Sequence, residues 1–279
     1  MGITEQIAYI TKNYKIGRKP LSKILGWGET TIIRYMDGIS PNEGFAKKLN
    51  VIYKDPWEYL RLLEENKNLI TDIAFKKSRR AVFAVILSDV SLWAVNYLAG
   101  VSKMDAAPYM IVATLHYANV YSLCKNNKPI FDGEKIAGIY KSSPKEEEKN
   151  CFYPELLCLL KKKGIGSFYT AGYDNGEFLP DKDICGILME VYSMLNAFAP
   201  NAVRTVIRRD KTAVLKSLKN PKGNDKQTIT DDVLKDFYFE RFEKQGVDSP
   251  QNIKNYIRHE ITAASKRTNN GNNSNNLGL

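Results

Sequence analysis

Apolar residues recur at helical spacing through 109–124 without one charge among them. Ala113, Tyr117, Tyr121 and Cys124 share one face; Ile111, Leu115, Ala118 and Ser122 share a second. A helix apolar on more than one face has to be enclosed, so the pattern predicts a central core helix over 105–125. Lys125-Asn126-Asn127-Lys128-Pro129 ends it, because Pro cannot continue a helix and Asn tolerates a left-handed cap. Further helices are predicted over 81–100, 153–163, 185–198, 201–208, 211–219 and 230–243. The Lys- and Glu-rich stretch 132–150 reads as an exposed loop, with Glu146, Glu147 and Glu148 as a solvated acidic run. Residues 164–169 and 174–178 read as a small hairpin with Asn175-Gly176 at its turn. The Asn-rich tail 268–279 has little to bury and is expected to be disordered.

The first 75 residues have a shorter rhythm. Ile7 and Ile10, then Leu21, Ile24 and Leu25, then Ile32, Ile33 and Met36, then Phe45, Leu49 and Ile52 predict the inner faces of four short helices. The third is predicted over 29–37, with Gly38 ending it. Asp55-Pro56-Trp57-Glu58 opens a fifth: Asp caps, Pro suits the first helical position, and Glu58 follows three residues after the cap. The basic run Lys76-Lys77-Ser78-Arg79-Arg80 is expected to be the seam to a second domain over 81–245, followed by a helical extension over 246–267 and the tail.

Residues 81–101 are long and apolar enough to raise a membrane span, but Asp89 and Asn96 sit inside. A charge near the bilayer centre costs at least roughly 2.5–3.5 kcal/mol. A core helix or a pair of helices is the expected outcome, and no membrane partner.

Two short helices around Gly26-Trp27-Gly28 fit a helix-turn-helix, whose second helix enters the major groove. The segment from Leu21 through Leu25-Gly26 to Thr31-Ile32 and Arg34, closed by Gly38, resembles the Cro/repressor-type (XRE-like) motif. That resemblance implies DNA contacts from Arg18, Gly28, Glu29, Thr30, Thr31 and Arg34. Glu29 and Thr30 would face base edges, Thr31 and Arg34 would reach bases or phosphates, and Arg18 would touch the backbone. Gly28 departs from the usual Ser or Thr cap. The first 80 residues hold 15 Lys and Arg against 9 Asp and Glu, a balance that suits DNA but also any solvated helical surface.

Tyr117-Ala118-Asn119, Tyr121, Leu123 and Lys128-Pro129-Ile130-Phe131 resemble the signature of the Panacea domain, the SocA-like antitoxin module. Asn127 stands where the family has Gly, and Ile130 where it has Leu. The family's Gly-Pro-Val and its late Thr-His and Pro-Trp are missing. The resemblance covers about residues 85–243 and implies a domain that binds and neutralises a toxin protein, with Tyr117, Tyr121, Lys128 and Phe131 as toxin contacts. The fold class expected is therefore mainly α: an N-terminal helix-turn-helix domain plus a larger α-helical Panacea-like domain with a small β-hairpin.

Formal charge of +10 favours an anionic partner, nucleic acid or an acidic protein surface. Residues 204–226 concentrate it, with eight Lys and Arg against Asp210 and Asp225. Cys124, Cys151, Cys158 and Cys185 form no C-x-x-C pair, and His116 and His259 are the only histidines, so no metal site or other cofactor is expected. Without a signal peptide the expected setting is a cytoplasm with reduced thiols. No catalytic motif stands out: Tyr169 fills the third glycine position of a dinucleotide fingerprint that starts at Gly164 and Gly166. The expectation is a non-enzymatic antitoxin of a bacterial type II system. It would block a toxin enzyme from the adjacent gene, of which toxic small alarmone synthetases are one class, and repress its own operon as a homodimer or a toxin–antitoxin heterotetramer on operator DNA. The alternative is a helix-turn-helix transcription regulator whose larger domain senses a ligand or mediates oligomerisation.

Overall fold

The computed structural model describes residues 2–131, 143–169, 182–218 and 229–274. These residues are mainly helical and form two compact units, residues 1–93 and 94–279.

In the first unit α1 (Ile3–Asn13), α2 (Arg18–Leu25), α3 (Thr31–Met36), α4 (Glu43–Lys54), α5 (Pro56–Glu65) and α6 (Asp72–Ile86) follow in order. Of the residues that set the apolar rhythm, Ile7, Ile10, Leu21, Ile24, Leu49 and Ile52 are fully or almost fully buried, and Met36 and Phe45 are half-buried. Tyr14 and Tyr59 extend that core; Tyr14 Oη donates to the Ile52 carbonyl at 3.2 Å. The fifth helix starts as its sequence dictates: Asp55 accepts from the Trp57 and Glu58 amides, and Pro56 takes the first position. Lys76 to Arg80, expected at a seam, lies inside α6, where Ser78 is buried against the Tyr59 hydroxyl at 2.5 Å.

Of the two outcomes expected for 81–101, one core helix or a pair, the pair is the one formed. α6 stops at Ile86, and α7 (Val90–Val101) starts where Asp89 accepts from the Ser91 and Leu92 amides. The polar residue inside the apolar stretch is thus a cap. Among the described residues no single helix is long and apolar enough to cross a membrane.

The second unit is arranged around α8 (Pro108–Asn126), whose residues 109–120 are all buried. α9 (Pro154–Lys163), α10 (Lys182–Leu195), α11 (Pro200–Ser217) and α12 (Asp231–Lys244) pack on it. α13 (Ile253–Ser274) packs against α10, α11 and α12. Asn127 takes the left-handed cap, φ 53°, that its sequence suggests. Gly100 of α7 is required by packing: a Cβ there would lie 2.9 Å from the Tyr169 ring.

Four expectations change. Helices expected over 201–208 and 211–219 are one continuous α11, because Asp210 turns its carboxylate into the core instead of capping a new helix. Residues 165–168, expected in a hairpin, form a 3-10 turn, and 174–178 lie outside the described residues. α13 runs through 268–274, part of the tail expected to be disordered; once a helix is nucleated, each added residue brings its own hydrogen bond. Glu148 of the acidic run is buried: Lys161 Nζ reaches it at 3.2 Å and Glu147 at 2.8 Å.

Candidate functional site

Three groups of residues carry the chemistry, and the first is the surface of α2 and α3. Gly26 ends α2 at φ +71°, and the Trp27 amide reaches back to the Ser22 carbonyl at 2.8 Å. Trp27 then drops into the core against Phe45, with ring centroids 4.5 Å apart. Ile32 and Tyr35 anchor α3, and Thr4 Oγ1 donates to the Tyr35 carbonyl at 3.2 Å. Arg18, Gly28, Glu29, Thr30 and Arg34 are exposed, and Thr31 is half-buried. The helix starts at Thr31, two residues later than expected, since neither Gly28 nor Thr30 supplies a capping side chain. Glu29 therefore lies in the turn, where Lys19 approaches at 3.3 Å and Lys23 at 3.9 Å. Ile33, expected in the core, is 36% exposed, and Tyr35 takes the inner position.

The second group is the aromatic signature of α8, and it is largely architectural. Asn119 is fully buried, and its Oδ1 accepts from the backbone amides of Ile130 and Phe131 at 2.8 and 3.0 Å. Ser122 Oγ donates to the Lys128 carbonyl at 2.7 Å. Together they fold the Lys-Pro-Ile-Phe segment back along its own helix. Tyr117 and Phe131, expected as contacts for a partner, are 0% and 1% exposed and belong to the core. Tyr121 is half-buried, with its hydroxyl on the Asp248 carbonyl at 3.1 Å, and Lys128 is exposed.

The third group was not singled out by motif. Asp210 is buried in α11 and gathers three phenols: Tyr256 at 2.8 Å on Oδ1, Tyr238 at 2.9 Å on Oδ2, and Tyr117 at 3.4 Å on the same oxygen. Tyr238 Oη also meets His116 Nε2 at 2.9 Å. With Asp210 ionised and accepting the Tyr238 proton, the histidine is the donor there. His116 stacks on Phe152 at 3.9 Å, with its Nδ1 buried and without a partner among the described residues. Burial opposes charge throughout. It pushes Asp210 up to about 7, against the pull of the Tyr256 and Tyr238 hydrogen bonds, and His116 down to about 3, helped by the Lys211 charge. Burial also pushes the Cys124 and Cys151 thiols up to about 11, which makes both poor nucleophiles. The sequence signal for Asp210 is its position: it is an acid at helical spacing with Val203, Val206, Ile207 and Val214, all buried.

Asp210 and Tyr256 form part of the floor of a cleft of about 570 Å3 between α11, α12 and α13. Among the described residues no set of His, Cys, Asp and Glu is placed to hold a metal ion. Comparison of the chain with protein-family models, with curated proteins and with solved structures finds no match.

Proposed function

We propose that the chain is a two-part antitoxin, with a DNA-binding first unit and a second unit that binds and neutralises a toxin protein. The observation that carries the reading is the division of labour within α2 and α3. Apolar residues of both helices, with Trp27, hold them in a core, while Arg18, Thr30 and Arg34 stay in solvent. That arrangement suits a helix-turn-helix whose second helix meets base edges and whose first meets phosphate. Ile33, exposed on the same short helix, suits contact with a thymine methyl.

The second part of the reading rests on the signature residues of α8. Within this stretch Asn119 holds two amides, the neighbouring Ser122 holds a carbonyl, and Asn127 takes a left-handed cap, so that the segment is closed by a structural latch. The exposed ends of the latch, Lys128 and the edge of Tyr121, are the toxin-facing part of the proposal. Operator binding as a homodimer or as a toxin–antitoxin heterotetramer belongs to the same proposal.

The test is a rescue. The product of the adjacent gene is expressed alone and then together with this chain, and growth is followed. Toxicity relieved by co-expression, with co-purification of the pair, is the expected result. A harmless neighbour that forms no complex would remove the antitoxin reading.

A further inference from the structure

The cleft between α11, α12 and α13 has walls of unequal charge. Arg208, Arg209 and Lys216 come from α11; Arg209 and Lys216, seven residues apart, share one helical face, and Arg208 stands about 100° round from Arg209 on the same wall. Arg241 comes from α12 and Glu260 from α13. Four cations therefore meet two carboxylates, and one of those, Asp210, is buried and shared among three phenols.

The cations divide into two kinds. Arg209 is fixed: it donates to the Glu260 carbonyl at 2.7 Å and pairs with the Glu260 carboxylate at 3.2 Å. Arg241 is fixed as well, with its guanidinium 3.7 Å from the Phe237 ring centroid and one nitrogen on the Phe237 carbonyl. Arg208 and Lys216 have no ion-pair partner among the described residues. Two held cations shape the site, and two unneutralised ones remain to receive an anion. A site built in advance loses less on binding than one that must be ordered by its ligand.

We propose that this cleft binds a small molecule carrying two or more phosphate groups. Its volume of about 570 Å3 falls within the roughly 300–1,000 Å3 usual for small-ligand sites. Arginine forks match phosphate oxygens two at a time. Arg208 and Lys216 are separated by about 12 Å along α11 at 1.5 Å per residue. A single phosphate engages one end of that row, whereas a phosphate chain spans more of it. The cleft lies within the second unit, so the proposal stands apart from the DNA reading of the first.

The experiment is isothermal titration of the full chain with inorganic pyrophosphate, with ATP and with sulfate as the single-anion control. The expected result is saturable one-site binding of pyrophosphate or ATP and none of sulfate. Tighter binding of ATP identifies a nucleotide; equal binding identifies the phosphate chain alone. Arg208→Glu with Lys216→Glu is expected to lower the affinity at least tenfold, and Arg34→Ala in the first unit to leave it unchanged. Both cleft residues are exposed, and Arg208→Gln read the same way decides the point if the double variant unfolds. The proposal is overturned by the absence of saturable heat with either ligand at about 1 mM, the weak end of specific affinity. Binding that survives both charge changes, or that Arg34→Ala abolishes equally, overturns it too.

Discussion

Asn119 holds the backbone amide of Phe131 from inside the core, Oδ1 to N at 3.0 Å, across twelve residues of chain. The same oxygen holds Ile130 at 2.8 Å. Replacing it leaves buried donors without an acceptor, which costs about 1–3 kcal/mol for each such group. Asn119→Ala is therefore expected to lose about 2–4 kcal/mol of stability, read as a lower urea midpoint. A loss below about 0.5 kcal/mol, the range of an ordinary surface change, would mean that the segment is held by Phe131 packing alone.

Asp210 and His116 make opposite contributions to stability as pH changes. Asp210 has a folded value of about 7 against an ordinary 3.8. Between those limits the folded state holds the extra proton, so its contribution falls as pH rises. His116 has a folded value of about 3 against an ordinary 6.5. Between those limits the unfolded state holds the extra proton, so its contribution grows as pH rises. One proton is worth about 1.4 kcal/mol per pH unit, so the two slopes nearly cancel from about pH 4 to 6.5. Asp210→Asn is expected to expose the histidine slope, with stability rising through that window relative to wild type. His116→Phe is expected to expose the opposite slope. Denaturant titrations at several pH values read both, and parallel curves for wild type and Asp210→Asn would show that the buried carboxyl does not hold its proton.

How much of this was legible in the sequence depends on what each residue answers to. The enclosure of α8 followed from apolar residues on two faces, and the start of α5 from Asp55 and Pro56, because both are decided within a few residues. That 81–101 could be a pair of helices was legible, but the place of the break between α6 and α7 was not, because Asp89 in an apolar run says only that something polar must be satisfied, not that it caps. Tyr117 and Phe131 were misplaced for the same reason in reverse: an aromatic suits a core and a contact surface equally, and burial chose the core. The Asp210 cluster joins residues 28 to 122 positions apart, and no local spacing records such a meeting. Its one local trace is an acid on the apolar stripe of α11.

On the first unit the prediction concerns DNA. Arg34 is exposed, so Arg34→Ala should leave thermal stability within about 0.5 kcal/mol of wild type. If Arg34 reads a base, the variant loses about 1–3 kcal/mol of binding to the DNA upstream of its own operon. Arg18→Ala, at the start of α2, is expected to weaken binding on every sequence and to reduce the salt slope by about one. Fluorescence anisotropy at several salt concentrations separates the two. Full binding by both variants at every salt concentration would take DNA away from this surface.

The last prediction separates latch from contact surface in the second unit. The fold uses the backbone carbonyl of Lys128, which accepts from Ser122, and leaves its side chain in solvent. Lys128→Glu is therefore expected to fold with its stability changed by no more than about 0.5 kcal/mol. On the proposed antitoxin reading it should nevertheless weaken rescue of growth, because a reversed charge at an interface acts on the partner and not on the core. Tyr117→Ala and Phe131→Ala are expected to fail differently, through loss of the fold, at about 3–5 kcal/mol each for a large buried aromatic. Growth rescue and circular-dichroism melting, measured side by side, distinguish the two classes. Undiminished rescue by a stable Lys128→Glu would remove Lys128 from the toxin-facing surface. The latch would then be a structural element only, with neutralisation left to another face of the unit.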